Sequence, residues 1–281
     1  MDKIYVAALF FSPKGGRRRE YSPHGPGRLL DYSEPGKPEY KEEIEAMQTI
    51  AYTDRIIEAL TPLNPTPMTT YRGDDITQFE KIETEMMTHT MRCFKADKLD
   101  KIVTIKADIM GGKLIVWATT IVPEDEYPLP IFTSEVVQAV NHLSFRADLI
   151  PLADCGRDME YLEKYMAPME EIWEKYKDIE GMRPEKYLWH RVMLSPFYTF
   201  GKIKYDVENI EETSLDITTD YLNLYTKLWS ETEKADPSYM ELLNGRKKDM
   251  LEIMLENDPG EGPLKKALGK EKAEKLLALL F

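Results

Sequence analysis

The chain has 281 residues, 42% of them hydrophobic and 10% aromatic, enough apolar material for a sizeable core and too much for a disordered polymer. Fifty acidic against 37 basic residues leave a formal charge of −13, which disfavours duplex nucleic acid as a partner. Two cysteines, Cys93 and Cys155, exclude a disulfide framework or a four-thiolate metal site.

The apolar run Ile4–Phe11 is short for a secretory core and is followed by Arg17-Arg18-Arg19, so it reads as a strand. No apolar stretch approaches the roughly 18 residues of a membrane span, and the cytoplasm is the expected compartment. Residues 12–38 hold five Gly and five Pro, which predicts an irregular basic arm. A charged helix is expected from Glu39, with Ile44, Met47, Ile50, Ala51, Ile57 and Leu60 at three- and four-residue intervals, ending before Pro62.

A second helical pattern covers Ile76–Thr90. The period then shortens to two, and Lys101–Ile109 and Lys113–Val122, joined through Gly111-Gly112, form a hairpin signal. Leu143–Ile150 and Val192–Lys204 are two further strand candidates. Between them, Met159–Tyr176 carries one apolar face and a bend at Pro168. Helices follow over Thr218–Lys234, Tyr239–Glu256 and Pro263–Leu280. Strands in the middle and helices at both ends predict an α+β protein. It would be one domain over 1–281, a three-layer α/β/α sandwich around a central, largely antiparallel sheet.

Glycine-loop, H-E-x-x-H and C-x-x-C motifs are absent, and the four histidines are widely spaced, so no metal site is expected. The basic arm and Lys265, Lys266, Lys270, Lys272 and Lys275 of the last helix are either solvated charge or a surface for an acidic protein. Two acids stand out. Glu135 follows the proline-stiffened segment Pro123–Pro130 and precedes Val136-Val137, where a partly buried carboxyl would serve as a proton donor; the alternative is an exposed acid opening a helix. Asp258, in Glu256-Asn257-Asp258-Pro259-Gly260, is either a turn former or a donor facing a cavity.

Several ordered segments resemble the ferredoxin-dependent bilin reductases, the family that includes phycocyanobilin:ferredoxin oxidoreductase and red chlorophyll catabolite reductase. They are Met91-Arg92-Cys93-Phe94, Val122-Pro123-Glu124 with Leu129-Pro130-Ile131-Phe132, and Ala147-Asp148-Leu149-Ile150-Pro151. Trp189, Asn257-Asp258-Pro259, Leu264–Gly269 and Leu280-Phe281 complete the set, from about residue 44 to the end.

The resemblance implies an α/β/α sandwich that binds a linear tetrapyrrole between the sheet and the C-terminal helices. It implies no tightly bound cofactor. Reduced ferredoxin, or a similar low-potential donor such as flavodoxin, would supply single electrons, and buried acids the protons. Glu135 would stand at the family's strand-exit aspartate and Asp258, beside Asn257, at its second donor. Arg146 and Arg183 would meet the propionates, a role that suits the planar guanidinium. Glu at 135 departs from the usual Asp, and Ile105 and Ala118 stand where the phycocyanobilin-forming branch has an interior Glu and His. A reductase of another tetrapyrrole, a non-catalytic tetrapyrrole or haem carrier, and an interaction protein built on the arm are the alternative readings.

Overall fold

The computed structural model describes residues 51–281 except Pro259. The arm at 12–38 and the helix expected from Glu39 up to residue 50 lie outside them. The described chain begins with α1 (Tyr52–Leu60), which buries Tyr52, Ile56 and Leu60 as the three- and four-residue spacing predicts. Short strands β1 (Thr66–Pro67), β2 (Thr70–Tyr71), β3 (Asp74–Asp75) and β4 (Lys81–Glu83) lead into the long strands β5 (Met87–Ala96), β6 (Leu99–Ile109) and β7 (Leu114–Pro123). Strands β8 (Ile131–Ala139) and β9 (His142–Ile150) follow, and β10 (Thr199–Ile203) pairs at the far edge.

The main sheet runs β1-β5-β6-β7-β8-β9-β10, with β4 also on β5, and all its pairings are antiparallel. The predicted hairpin forms as β6–β7. Met110, Gly111 and Gly112 all take positive φ at its turn, and Gly112 N–H donates to the Asp108 carboxylate at 2.7 Å.

Three expectations are corrected. Ile76–Thr90 is not a helix: one 3-10 turn at Thr77–Phe79 is followed by β4 and the start of β5. Ile76, Phe79 and Ile82 have helical spacing, but Met87, His89, Met91 and Cys93 alternate inward, and pairing with β6 decides the outcome. Val192–Lys204 contributes only β10; Pro196 has no N–H for a ladder, and Leu188 and Val192 are exposed in and after a short helix. Pro263–Leu280 divides in two at Gly269, whose φ is +78°. The strand β8, which carries Glu135, was not anticipated.

Between β9 and β10 the helical stretch Met159–Tyr176 is irregular. A π turn at Leu162–Met166 and a 3-10 turn containing Pro168 precede α2 (Glu170–Tyr176), which is the expected bend. After it come α3 (Leu188–Arg191), α4 (Ile210–Glu231), α5 (Pro237–Asn257), α6 (Glu261–Leu268) and α7 (Lys270–Leu280).

The sheet's first face carries Ile102, Trp117, Phe132, Val136 and Phe145. It packs with α1, the 159–176 stretch and α4 into the main core, which includes Tyr221 and Tyr225. Large aromatics dominate this burial, each contributing roughly 1.5–3 kcal/mol when removed from water. The second face changes character along the sheet. Over β4–β7, Met91, Cys93, Val103, Ala107 and Val116 meet Leu264 and Leu268 of α6 and Leu276 and Leu279 of α7. Over β8–β10 the same face presents Thr133, Glu135, Arg146, Asp148 and Lys202, as the register dictates.

Candidate active site

Register brings the first acid to its partner. Glu135 and Arg146 are directly opposed on β8 and β9, and Arg146 Nη2 donates to Glu135 Oε2 at 3.2 Å. Glu135 is therefore neither at a strand exit nor at a helix start; it sits mid-strand, half-buried, on the polar half of the second face. On the other side of the guanidinium, Arg146 Nη1 lies 3.8 Å from Glu185 Oε2. Glu185 and His190 are both buried and 3.3 Å apart.

The charges of this cluster follow from its contacts. Burial opposes the charge on Arg146, but Glu135, Glu185 and Asp258 outweigh it and hold the guanidinium ionised. Burial also opposes ionised Glu185, yet the His190 hydrogen bond and Arg146 pull it down to about 2. Burial lowers the His190 pKa in spite of Glu185, and its Nδ1 lies 3.3 Å from Glu185 Oε2 and 3.4 Å from Arg146 Nη1. Arg146 Nε is buried and donates to no protein atom, an orphan hydrogen-bond donor within the cluster.

The second acid arrives from α5. Buried Lys247 anchors that helix at the exit of β7, donating to the Pro123 carbonyl at 3.1 Å and pairing with Asp125 at 2.5 Å. From Lys247 the helix advances roughly 16 Å to Asp258, where the backbone turns extended. The Asp258 carboxylate accepts from Gly260 N–H at 2.6 Å. Burial pushes its pKa up to about 6 against the Gly260 bond; Glu135 adds to the rise, and Arg146 opposes it. Asp258 thus shares an electrostatic neighbourhood with Glu135 and Arg146 from a different element.

Arg183 lies outside this centre, exposed, with its guanidinium 5.5 Å from the Phe200 ring centroid and within electrostatic reach of Glu185. Phe200 is the register partner of Arg146, so Arg183 stands at the β10 border of the polar face. The Asn257 side chain bonds Ile253 O at 2.8 Å in its own helix and makes the last turn of α5 rather than a contact with the cluster. Ile105 and Ala118 are opposed on the second face, so the β6–β7 part of that face has no titratable side chain there.

Sequence reasoning missed three groups: Glu185, His190 and Asp148. Asp148 is buried on β9 opposite Thr133, and burial pushes its pKa up to about 7 against two hydrogen bonds from Ser195. Alternation along β9 would have placed Asp148 beside Arg146 on one face; nothing local in the sequence marks Glu185. A small cavity of about 10 Å³ is lined by Thr133, Arg146, Asp148 and Glu185. A larger open cleft of about 470 Å³, lined by Cys155, Arg191, Ser195, Tyr198 and Arg246, adjoins it and reaches neither Glu135 nor Asp258. Among the described residues no three His, Cys, Asp or Glu cluster as a metal site, and no helix is long and apolar enough to cross a membrane.

Comparison with known proteins gives this cluster its setting. Similar proteins include 15,16-dihydrobiliverdin:ferredoxin oxidoreductase from Nostoc punctiforme, 25% identical over 66% of this chain and 74% of that one. Phycoerythrobilin:ferredoxin oxidoreductase from Parasynechococcus marenigrum is 27% identical over 79% of this chain and 86% of its own. The fold is shared with phytochromobilin synthase from tomato, solved in complex with biliverdin, at a TM-score of 0.69 and 19% identity over 81% of each chain. The family model for ferredoxin-dependent bilin reductases matches residues 53–281, spanning the sheet, both acids and the C-terminal helices, and the chain belongs to that family.

Proposed function

We propose that the protein reduces a linear tetrapyrrole with electrons from reduced ferredoxin, Glu135 and Asp258 delivering the protons. The observation that carries this reading is the pair of acids from separate elements placed around one buried guanidinium, in a chain of this family. Reducing one carbon–carbon double bond takes two electrons and two protons. A conjugated pigment delocalises each added electron, so the protein needs only to position the pigment, exclude water and supply protons. With a pKa of about 6, Asp258 is protonated in roughly a tenth of molecules at pH 7, on the order of a hundred times more than an ordinary aspartate. Glu135 is oriented by Arg146, which is itself held from behind by Glu185.

Arg146, whose side chain is part-exposed beside Glu135, and exposed Arg183 suit the propionates. Asn257 is assigned to the loop that presents Asp258. A tetrapyrrole carrier is the second reading, favoured by the apolar Ile105–Ala118 pair on the same face.

An anaerobic absorbance titration with biliverdin followed by reduced ferredoxin tests the proposal. A shifted bound spectrum that changes on adding the donor, with a reduced bilin among the products, supports the reductase. A bound spectrum indifferent to the donor supports the carrier or a reductase of another tetrapyrrole, and absence of binding removes biliverdin as the ligand.

A further inference from the structure

Proton supply is a problem the two donors do not solve by themselves. Each turnover removes two protons from a site whose donors are half-buried, and both carboxylates must be recharged before the next. Asp148 and Ser195 stand at the boundary between that site and water. Asp148, 2% exposed, lines the small cavity together with Arg146, Glu185 and Thr133. Ser195, 3% exposed, lines the open cleft on the other side. Its N–H donates to Asp148 Oδ2 at 3.0 Å and its hydroxyl to Oδ1 at 2.5 Å, so the pair forms part of the wall between the two spaces. Leu194 and Tyr198 line both.

On the inner side the sheet fixes the next step. Asp148 opposes Thr133, and Glu135 follows two residues along the same face, so Asp148 and Glu135 are diagonal neighbours at roughly 7–8 Å. Thr133 is opposite Asp148 and two residues from Glu135 on one face, so its hydroxyl is the polar group that the register places next to both carboxyls.

We propose that Ser195 and Asp148 form the proton-entry route of this enzyme, carrying protons from the open cleft to Glu135. The inference rests on the reductase reading above. In each cycle a proton leaves the Asp148 carboxyl for the Glu135 carboxylate, relayed by the Thr133 hydroxyl, which accepts one proton and gives up its own. Asp148 is then reprotonated from cleft water through the Ser195 hydroxyl, with no change in oxidation state. The groups facing Asp148 are Arg146 on its own strand, Thr133 on β8, Glu185, Ser195 and Tyr198 on the loops, and Tyr221 on α4, while Asp154, Arg191 and Arg246 face the cleft. The raised pKa of Asp148 fits it to both accept and release a proton near neutrality.

The test uses the full chain, biliverdin and reduced ferredoxin. Asp148→Asn is expected to bind biliverdin within twofold of the wild type and to turn over on the order of 10–100-fold more slowly, with an increased solvent deuterium isotope effect. Asp148→Ala is expected to regain turnover on adding formate, which enters through the cleft, and Ser195→Ala to show a smaller loss. Wild-type turnover in Asp148→Asn overturns the proposal. So does a loss with no larger isotope effect and no rescue by formate, because that describes an aspartate that only fixes the Ser195 turn. A wild-type protein that reduces neither biliverdin nor 15,16-dihydrobiliverdin overturns the reductase reading itself, and the relay with it.

Discussion

Arg146 is the residue on which the other charges depend. Two carboxylates on opposite sides of one guanidinium fix its plane, and Glu185 is in turn held by His190 and by the backbone N–H groups of Lys186 and Tyr187. A buried charge without such partners would cost several kcal/mol. Asp258 lacks that compensation. Its pKa of about 6 lies above the ordinary aspartate value of 3.8, so the folded state holds a proton that the unfolded state has released across that interval. The resulting penalty is absent below about pH 4, grows as pH rises through the interval, and is complete above about pH 6. Asp258→Asn, neutral throughout, is therefore expected to be more stable than the wild type by about 3 kcal/mol at pH 8 and equal to it at pH 3.5. Urea denaturation at the two pH values measures this; equal midpoints at pH 8 would show an acid that is not desolvated. The same variant is expected to bind biliverdin and to stall after the first electron, leaving a radical visible by electron paramagnetic resonance, whereas undiminished turnover would remove Asp258 from the chemistry.

At the scale of the element, β10 depends on one missing side chain. Gly201 opposes Phe145, and a Cβ at 201 would stand 2.6 Å from Phe145 Cζ and 3.2 Å from Met182 Sδ. Phe145 is fully packed in the main core and its ring cannot retreat far. Gly201→Ala is expected to cost roughly 1–3 kcal/mol and, by displacing β10, to loosen Phe200 and Arg183 at the border of the site. A lower melting temperature with weakened biliverdin binding is the expected result, and an unchanged melting temperature would show that β10 moves freely. This strand also shows where sequence reading stops. The β6–β7 hairpin was legible because two glycines interrupt clean alternation. Strand β8 was not, because both of its faces are covered: Phe132, Ser134, Val136 and Gln138 face the core while Thr133, Glu135 and Val137 face the site, and polar residues on both sides erase the pattern. Glu135 and Asp258 could be singled out in the sequence by their settings, one after a proline-stiffened run and one in an Asn-Asp-Pro loop, and resemblance then gave them roles. The Glu185–His190 support could not, because it is assembled by a loop between α2 and β10 that has no periodicity of its own.

At the scale of the whole molecule, a formal charge of −13 has to meet an acidic electron donor. Of the five lysines of the last two helices, two are already neutralised: Lys265 pairs with Glu261 and Glu274, and Lys275 with Glu271. Among the described residues, the rim of the polar face gathers Arg183, Lys186 and Lys202 within electrostatic reach of one another, a local positive patch beside the candidate site. Two opposing ranges of force follow. The net charge repels at long range, with a screening length of about 30 Å at 0.01 M salt and about 10 Å at 0.1 M, whereas the rim attracts at contact and yields only when the length falls to about 3 Å near 1 M. The KM for reduced ferredoxin is therefore expected to fall as salt rises from 0.01 to about 0.1 M, while repulsion is screened, and to climb again toward 1 M as the rim contacts weaken. Reversing two rim charges, Arg183→Glu with Lys202→Glu, should raise KM throughout and flatten the climb, because the attraction at this rim is removed. Steady-state turnover across this salt range, at saturating biliverdin, separates the two forces. A KM that rises from the lowest salt would mean that local attraction dominates at every distance, and a double variant indistinguishable from the wild type would place the docking surface elsewhere on the molecule.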